Sequence, residues 1–316
     1  MQLTRLITSK IRAPALLTRH IFFCVVALLF FCLSALALRL NTTHTHYVGN
    51  NYFPTNIIQV STASLLIYLG FYLQYHASHP LNRRVKEMFF FLGSMALMIF
   101  GTNAIQYTPF LPIDHQILRW SEWMHVDFSH MMAWSHAHPT LYHIMEWIYN
   151  SLTYQLTYLP LILIVLGRFE RLHEYYFLLL FTALIGFSFY YFFPTTAPAS
   201  VINSPYFTEA QHATELKFQQ IHRHIQPSTR EGGMIALPSF HVIWAWLCVW
   251  LVRDWWWVFS PLLLLNISMV ISCVLLGWHY ILDVIASIVI LMIAHGVQNY
   301  IRNTSLHILK NNPELR

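Results

Sequence analysis

Residues 237 to 298 read LPSFHVIWAWLCVWLVRDWWWVFSPLLLLNISMVISCVLLGWHYILDVIASIVILMIAHGVQ. The stretch contains three apolar runs, near residues 238 to 252, 255 to 277 and 279 to 298, and its only Asp, Glu, Lys or Arg residues are Arg253, Asp254 and Asp283. A helix needs roughly 20 apolar residues to cross a hydrocarbon core about 30 Å thick. We therefore predict that each run forms a membrane-spanning helix.

Five more apolar runs precede this stretch, near residues 21 to 40, 57 to 76, 88 to 108, 150 to 167 and 174 to 193. The chain of 316 residues is 56% hydrophobic and only 10% charged, whereas soluble domains carry roughly 25% charged residues. This composition excludes a soluble domain and a disordered chain. We predict an all-α, polytopic integral membrane bundle with about eight transmembrane helices.

The first apolar run contains Ala35, Leu36 and Ala37, which resemble a signal-peptidase site. The segment from Ile21 to Leu38 is longer than the roughly 7 to 15 apolar residues typical of a signal peptide, so we predict a retained helix. The four cysteines all lie within apolar runs, which indicates buried thiols rather than a disulfide framework; they are Cys24, Cys32, Cys248 and Cys273.

The distribution of positive charges predicts an orientation. With eight helices and a cytoplasmic N-terminus, 13 of the 18 Lys and Arg residues fall on the cytoplasmic side. This positive-inside pattern accounts for the pI of about 9.0 without a nucleic-acid partner. We predict that both termini are cytoplasmic. The five cations on the outer side are Arg39, Arg119, Lys217, Arg223 and Arg230.

Two long connections, residues 109 to 149 and 194 to 237, belong to the outer face in this topology. Long loops on one face of a scaffold often carry function. The first connection is rich in Trp and His, which predicts one or two helices lying at the membrane interface. We therefore expect the functional site at the outer face.

Ionisable residues at the ends of membrane helices are candidates for function, because each needs a partner to offset its desolvation. His241 begins the sixth predicted helix, and the 38 residues from there to His279 fit one helix across the membrane and one helix back. We therefore expect both histidines at the same surface. Asp283 follows His279 by four residues, so its carboxylate can accept a hydrogen bond from one imidazole nitrogen. This arrangement indicates a histidine nucleophile, a carboxylate that orients it and a second histidine as proton donor.

Two motifs in the stretch resemble those of the type 2 phosphatidic acid phosphatase superfamily of membrane phosphatases and phosphotransferases. Pro238-Ser239-Phe240-His241 is similar to the Pro-Ser-x-His motif of that superfamily. Ser272, His279 and Asp283 are similar to its Ser-Arg-x5-His-x3-Asp motif. The resemblance covers roughly residues 111 to 298 and implies a six-helix catalytic core. It further implies that His279 attacks phosphorus, Asp283 orients His279, and His241 protonates the leaving group.

The chain departs from those motifs in its cations. Cys273 occupies the position of the motif arginine, and the Lys-x6-Arg-Pro motif has no counterpart. The segment 192 to 198, FFPTTAP, and the His-Tyr-x-x-Asp form at 279 to 283 resemble the inositol phosphorylceramide synthase and sphingomyelin synthase branch, which transfers head groups between lipids. The segment Tyr149 to Leu152 with Gln155 is similar to bacterial members of that branch. The resemblance implies a protein of the bacterial inner membrane.

We divide the chain into two additional N-terminal helices over residues 1 to 87, a catalytic core over residues 88 to 298 and a cytoplasmic tail over residues 299 to 316. Without the motif cations, other groups must neutralise the phosphate. Arg230 is a candidate because Gly232 and Gly233 follow it and let backbone N–H groups approach an anion. The residues that we predict to bind substrate are Ser239, Arg230, Ser272, Pro194 and Thr195.

We expect a membrane enzyme that acts on a phospholipid or a lipid phosphate. It is either a head-group phosphotransferase with a polyol or lipid alcohol acceptor, or a lipid phosphatase. The alternatives are a transporter or flippase, in which His and Asp relay protons, and a homologue that has lost activity. The His-x-His tracts at residues 44 to 46, 136 to 138 and 222 to 224 lack a third ligand in register, so we predict no metal and no cofactor.

Overall fold

The computed structural model of the protein describes residues 2–45, 52–53, 55–76, 79–230, 232–233 and 235–311. Throughout these ranges the regular secondary structure is helical and contains no strand, which confirms the all-α prediction. The helices are α1 (Gln2–Thr45), α2 (Ile57–Gln74), α3 (Pro80–Ile105), α4 (Asp114–Trp123), α5 (Phe128–His136), α6 (Pro139–Asn150), α7 (Leu152–Leu166), α8 (Phe169–Phe192), α9 (Glu209–His222), α10 (Phe240–Leu251), α11 (Trp256–Leu275) and α12 (Ile281–Asn311).

Among the described residues, seven helical segments are long and apolar enough to cross a membrane. The apolar run predicted near 238 to 252 forms α10, which has only 12 residues and is therefore about 18 Å long. Polar residues follow this helix at once, and one of them, Arg253, forms an ion pair with Glu174 near the start of α8. The seven long segments are Ile21–His44, Ile57–Gln74, Pro80–Ile105, Pro139–Leu166, Phe169–Phe192, Trp256–Leu275 and Ile281–Thr304.

The two long connections contain more helix than the sequence predicted. Three helices, α4, α5 and α6, occupy the first connection, and α6 continues into α7 as one span that begins at Pro139 rather than near residue 150. Proline is favoured at the first position of a helix, because the backbone N–H that it lacks would have no partner within the helix there. The second connection contains α9, whose start is fixed by a capping box between Thr208 and Gln211.

Helix α8 forms the centre of the bundle. It packs against α1, α3, α7, α10 and α12, and half of its residues are buried. The first helix is part of this core, because the ring of Phe30 in α1 packs 5.5 Å from that of Phe187 in α8. Helix α2, by contrast, packs on α3 and has no buried residue. The N-terminal pair is therefore divided between one core helix and one peripheral helix.

The bundle has two chemically different ends. His241 lies in the first turn of α10, whereas Arg253 lies just beyond the last turn of the same helix. The turn between α11 and α12, with His279, lies beside the start of α10, since Ser239 N–H donates to the carbonyl of Asp283 at 3.3 Å. The candidate site residues are therefore collected at one end of the helices.

Candidate active site

The turn between α11 and α12 holds His279 in a fixed orientation. Gly277 adopts a φ of +76° there, a left-handed conformation that favours glycine. The N–H groups of Trp278 and His279 both donate to the carbonyl of Cys273 at 3.0 Å. This bonding ends α11 and places His279 one turn before Asp283, whose Oδ2 lies 3.1 Å from Nδ1 of the imidazole. The same Oδ2 accepts from the N–H of Tyr280 at 2.9 Å.

The start of α10 is attached to that turn. Ser239 is the N-cap of α10, and Val242 N–H donates to its Oγ at 3.5 Å. The hydroxyl of Ser287 in α12 donates to the carbonyl of Ser239 at 2.9 Å. As a result, the ring centroids of His241 and His279 lie 5.6 Å apart with the rings at 60°. The structure thus brings together the two histidines and the aspartate that the sequence singled out.

The ring of Tyr149, near the C-terminus of α6, packs on the ring of His241. The two rings stack with centroids 4.4 Å apart and an angle of 22°. The tyrosine hydroxyl lies 3.5 Å from Nδ1 of His241, and the same tyrosine ring stacks on Trp278 with centroids 5.5 Å apart. The imidazole of His241 is therefore held in a stack of aromatic rings, with one nitrogen next to a hydroxyl group.

A buried carboxylate, Asp114 at the start of α4, links the two motif segments. Its two oxygens accept from Thr196 N–H at 3.1 and 2.9 Å, and Tyr280 Oη donates to Oδ1 at 3.2 Å. One residue before Thr196, the hydroxyl of Thr195 accepts from Leu237 N–H at 2.9 Å. The carboxylate of Asp114 thus connects Tyr280 to the loop at Thr195 and Thr196, and this loop supports the segment from Pro238 to His241. Sequence analysis missed Asp114, because a lone Asp before a short polar helix carries no motif.

A family model described as the PAP2 superfamily matches residues 115–297. The chain belongs to the PAP2 superfamily. Searches among curated proteins and among solved structures gave no match. Membership supports a membrane enzyme that acts on lipid phosphates as a phosphatase or phosphotransferase. The match includes every residue that the sequence assigned to the site, and it begins one residue after Asp114.

Burial sets the protonation of two groups around this site. It lowers the pKa of His279 to about 4, so the imidazole is neutral at pH 7 and keeps a lone pair for attack. Burial also raises the pKa of Asp114 to about 6, although hydrogen bonds from Thr196 and Tyr280 act in the opposite direction. Asp114 is thus mostly ionised at neutral pH and becomes protonated in mild acid.

Two of the predicted substrate-binding positions make contacts within the protein scaffold. The carbonyl of Pro194 accepts from Ile113 N–H at 2.9 Å, and Thr195 binds Leu237 as described above. Both residues are buried. Their observed contacts hold the loop after α8 against α4 and against the segment that precedes α10.

The phosphate-binding candidates are more dispersed. Ser272 is buried, and its hydroxyl donates to the carbonyl of Ser268 in its own helix at 2.8 Å. Arg230 is exposed in the loop before α10, and no contact joins it to either motif histidine. Cys273 lies in an apolar cluster with Leu152 and Ala245, so the PAP2 motif cation is replaced here by a buried thiol. Ser239 alone among the predicted binding residues sits directly beside the histidine pair.

The described residues contain no group of three His, Cys, Asp or Glu side chains that could hold a metal ion. In one His-x-His tract, the ring of His136 packs against Tyr142 and Tyr206 at 4.4 and 5.1 Å. In another, burial lowers the pKa of His222 to about 4. The tract at residues 44 to 46 extends to His46, which lies outside the described residues.

Proposed function

We propose that the protein transfers a phosphorylated head group, or a phosphoryl group, from a membrane lipid through a phosphohistidine intermediate on His279. The observation that carries this proposal is the hydrogen-bonded pair of His279 and Asp283 beside His241. Because Nδ1 of His279 is bonded to the carboxylate, we assign Nε2 as the nitrogen that attacks phosphorus, and attack requires that this nitrogen exchange any hydrogen bond with the backbone of Ala236 for the substrate. Attack forms the N–P bond and breaks the P–O bond to the leaving alcohol.

His241 supplies the proton that the leaving oxygen needs. In its protonated form, His241 can donate its Nδ1–H to the hydroxyl oxygen of Tyr149 and its Nε2–H to the leaving oxygen, and this proton transfer leaves the ring neutral. In the second step an acceptor hydroxyl, from water or an alcohol, attacks phosphorus while His241 takes up its proton. The N–P bond then breaks, and both histidines return to their starting state.

Asp114 is a positioning residue in this scheme. Asp114 has no direct contact with the two histidines, but it binds Tyr280, the residue after His279. It also binds Thr196, and the neighbouring Thr195 accepts from Leu237 N–H just before the segment that contains His241. Catalysis falls steeply when reacting groups move by about 1 Å. We therefore expect Asp114 to act on the rate of the chemical step rather than on lipid binding.

Transfer of the head group to a polyol or lipid alcohol is our proposed reaction, as in the inositol phosphorylceramide and sphingomyelin synthase branch. Two features favour transfer over hydrolysis. The motif cations of the phosphatases are absent, and Cys273 is buried among apolar side chains. In addition, Tyr149 stacks on His241 and Trp278 stacks on Tyr149, and an aromatic cover of this kind limits the access of water.

A transporter or flippase has less support, because transport sites usually lie near the bilayer midplane on broken helices. His241 and His279 lie instead at helix ends. A homologue without activity has less support as well, since both histidines and Asp283 are in contact distance of one another.

The test uses purified protein with a labelled phospholipid and a panel of acceptors, namely inositol, diacylglycerol and ceramide. Mass spectrometry should detect a new phosphodiester lipid that disappears in His279→Ala. Release of free phosphate or free head group alone, at an undiminished rate with every acceptor, would replace transfer by hydrolysis. We further propose that no metal is needed, so EDTA should leave the rate unchanged, whereas loss with EDTA and rescue by magnesium or zinc would refute this point.

We also propose that the site faces the outside of a bacterial inner membrane and that both termini are cytoplasmic. Glu209 in the second long connection and Glu170 at the start of α8 are both exposed. In a background without the four native cysteines, Glu209→Cys should react with an impermeant thiol reagent in intact cells. Glu170→Cys should react only after lysis, and labelling of both in intact cells would overturn this orientation.

A further inference from the structure

Helices α11 and α12 leave a gap between them. A short turn that contains His279 joins the two helices, and both pack against α10 rather than against each other. The gap is therefore closed at the His279 turn, has α10 as its back wall and is open toward the surrounding bilayer. It encloses a volume of about 710 Å³.

The walls of this groove are mostly apolar. Helix α10 contributes Val242 and Ala245, α11 contributes Ile267 and Ile271, and α12 contributes Ile288 and Met292. Ile271 and Met292 are 52% and 62% exposed, so each offers free apolar surface at the rim of the groove. A concave apolar wall of this kind binds a flexible hydrocarbon better than a flat helix surface does, because it surrounds more of the chain.

The groove runs from the candidate site toward the opposite end of the bundle. Its upper end is at Val242, the residue after His241. Along α12 it extends from Ile288 to Asn299, which is about 16 Å at 1.5 Å per residue. Polar groups lie in its lower part, where Trp246 Nε1 donates to His295 Nε2 at 2.8 Å and Asn299 lines the end. The groove is thus an apolar channel with a polar end.

From this geometry we propose that the groove binds one acyl chain of the lipid substrate while its phosphorylated head group lies at His279. The proposal rests on the proposed function. The position of the upper end favours a substrate chain over a lipid of the bulk bilayer, because Val242, which lines that end, directly follows His241 in the first turn of α10. The polar end at Asn299 limits the length of chain that the groove accepts.

Gly296 provides a direct test, because it lines the groove and a Cβ added there meets no atom within 4 Å. Leucine at this position fills part of the groove without a backbone clash. Gly93 in α3 is a matched control, since it is equally open and lies outside the groove. We expect Gly296→Leu to lower kcat/KM for dipalmitoyl phosphatidic acid by roughly tenfold, in line with the loss of a few methylene contacts. Its kcat/KM for dioctanoyl phosphatidic acid, and both values for Gly93→Leu, should stay at the wild-type level.

A second readout does not depend on turnover. Phosphatidic acid with a diazirine on one acyl chain should crosslink to peptides of α10, α11 or α12 in the wild type. Unlabelled phosphatidic acid should compete with this crosslink, galactosyl diacylglycerol, which has two acyl chains but no phosphate, should not, and Gly296→Leu should weaken the crosslink. Equal competition by both lipids would mean that the groove holds a bulk lipid and would overturn the proposal.

The two proposals fail in different ways. If the wild type and His279→Ala show the same rates, the proposed function fails, and the crosslinking result alone decides whether the groove binds the chain. If His279→Ala is inactive but Gly296→Leu treats both chain lengths as the wild type does, the groove proposal fails and the proposed function stands.

Discussion

The carboxylates at the two ends of the helical bundle have different hydrogen-bond partners. At the end that contains Arg253, Glu174 accepts from both Arg171 and Arg253. Asp254 pairs with the same Arg171, and the guanidinium of Arg253 lies 4.0 Å from the ring centroid of Trp250. Every carboxylate of this cluster has a guanidinium partner, so the charges neutralise one another.

At the other end, no Lys or Arg side chain within the described part of the chain pairs with Asp283 or Asp114. Asp283 is bound by an imidazole nitrogen and a backbone N–H, and Asp114 is bound by a backbone N–H and a tyrosine hydroxyl. Neutral donors compensate the desolvation of a carboxylate less completely than a guanidinium does, which agrees with the raised pKa of Asp114. The comparison indicates that one end stabilises the bundle and that the other keeps titratable groups available for reaction.

The largest expected effect at the site end comes from His279→Ala. Removal of a nucleophile leaves only the contribution of binding and orientation, so activity should fall by about 10³-fold or more. The covalent phosphoprotein, trapped by rapid alkaline quench with labelled lipid, should disappear. His143→Ala is the matched control, since that side chain is 74% exposed. A phosphoprotein that persists in His279→Ala would assign the nucleophile to another residue.

Asp114→Asn should have the next largest effect. The amide retains one acceptor oxygen but turns an NH2 group toward Thr196 N–H or the Tyr280 hydroxyl, so one hydrogen bond is lost and a donor faces a donor. We expect kcat to fall by roughly 10- to 100-fold with KM little changed. Asp127→Asn is the control, because Asp127 is an exposed helix cap and Asn caps equally well. An effect on KM alone would contradict the positioning role.

The dependence of kcat on pH provides a second test of the role of Asp114. Above about pH 6 Asp114 is ionised and both oxygens accept hydrogen bonds, whereas below that pH one oxygen carries a proton. Wild-type kcat should therefore decrease as the pH falls through about 6, and Asp114→Asn should lack this step. The neighbouring titratable groups are Tyr280, Tyr190 and Asp283. His279, with a pKa of about 4, titrates below this range, so an unchanged step in Asp114→Asn would assign it to a different group.

Tyr149→Phe should have a smaller effect. Phenylalanine keeps the stack on His241 and Trp278 but removes the hydroxyl group beside Nδ1. Loss of one hydrogen bond predicts a decrease of about 2- to 10-fold in kcat. The decrease should be limited to substrates whose leaving group needs a proton, so a nitrophenyl phosphodiester should be spared. Tyr154→Phe is the control, because Tyr154 is 65% exposed, and an equal loss on both substrates would exclude a role in protonation.

Part of this site could be predicted from sequence. The contact between His279 and Asp283 was predicted from helical spacing, but His279 lies in the turn two residues before α12, and that turn brings its ring to the carboxylate. The proximity of His241 and His279 follows from the lengths of α10 and α11, the two helices between them. The roles of these residues in catalysis remain predictions.

The contacts of Asp114 and Tyr149 could not be predicted from helix geometry. Asp114 reaches Tyr280 across 166 positions of sequence, and Tyr149 reaches His241 across 92. Such contacts depend on how α4 and α6 fold back over the bundle, and helical periodicity does not determine the path of connecting segments. The start of the span at Pro139 was missed for a related reason, since the Trp and His side chains of α6 favour the membrane interface as much as its interior.

The smallest effect on activity is expected at the charged end, from Glu174→Gln. This change leaves Arg253 with a weaker, neutral acceptor, while Arg171 keeps its pair with Asp254. Because the ion pairs at Glu174 are half-buried, the loss should lower the free energy of unfolding by about 1 to 3 kcal/mol. The melting temperature in detergent should fall by a few degrees, whereas kcat, KM and the pH profile should match the wild type. Glu146→Gln is the control, since Glu146 is 51% exposed and has only a surface contact with His143. If Glu174→Gln lowered kcat as much as Asp114→Asn, the two ends would be coupled through α10, and their division into a stabilising end and a reactive end would be wrong.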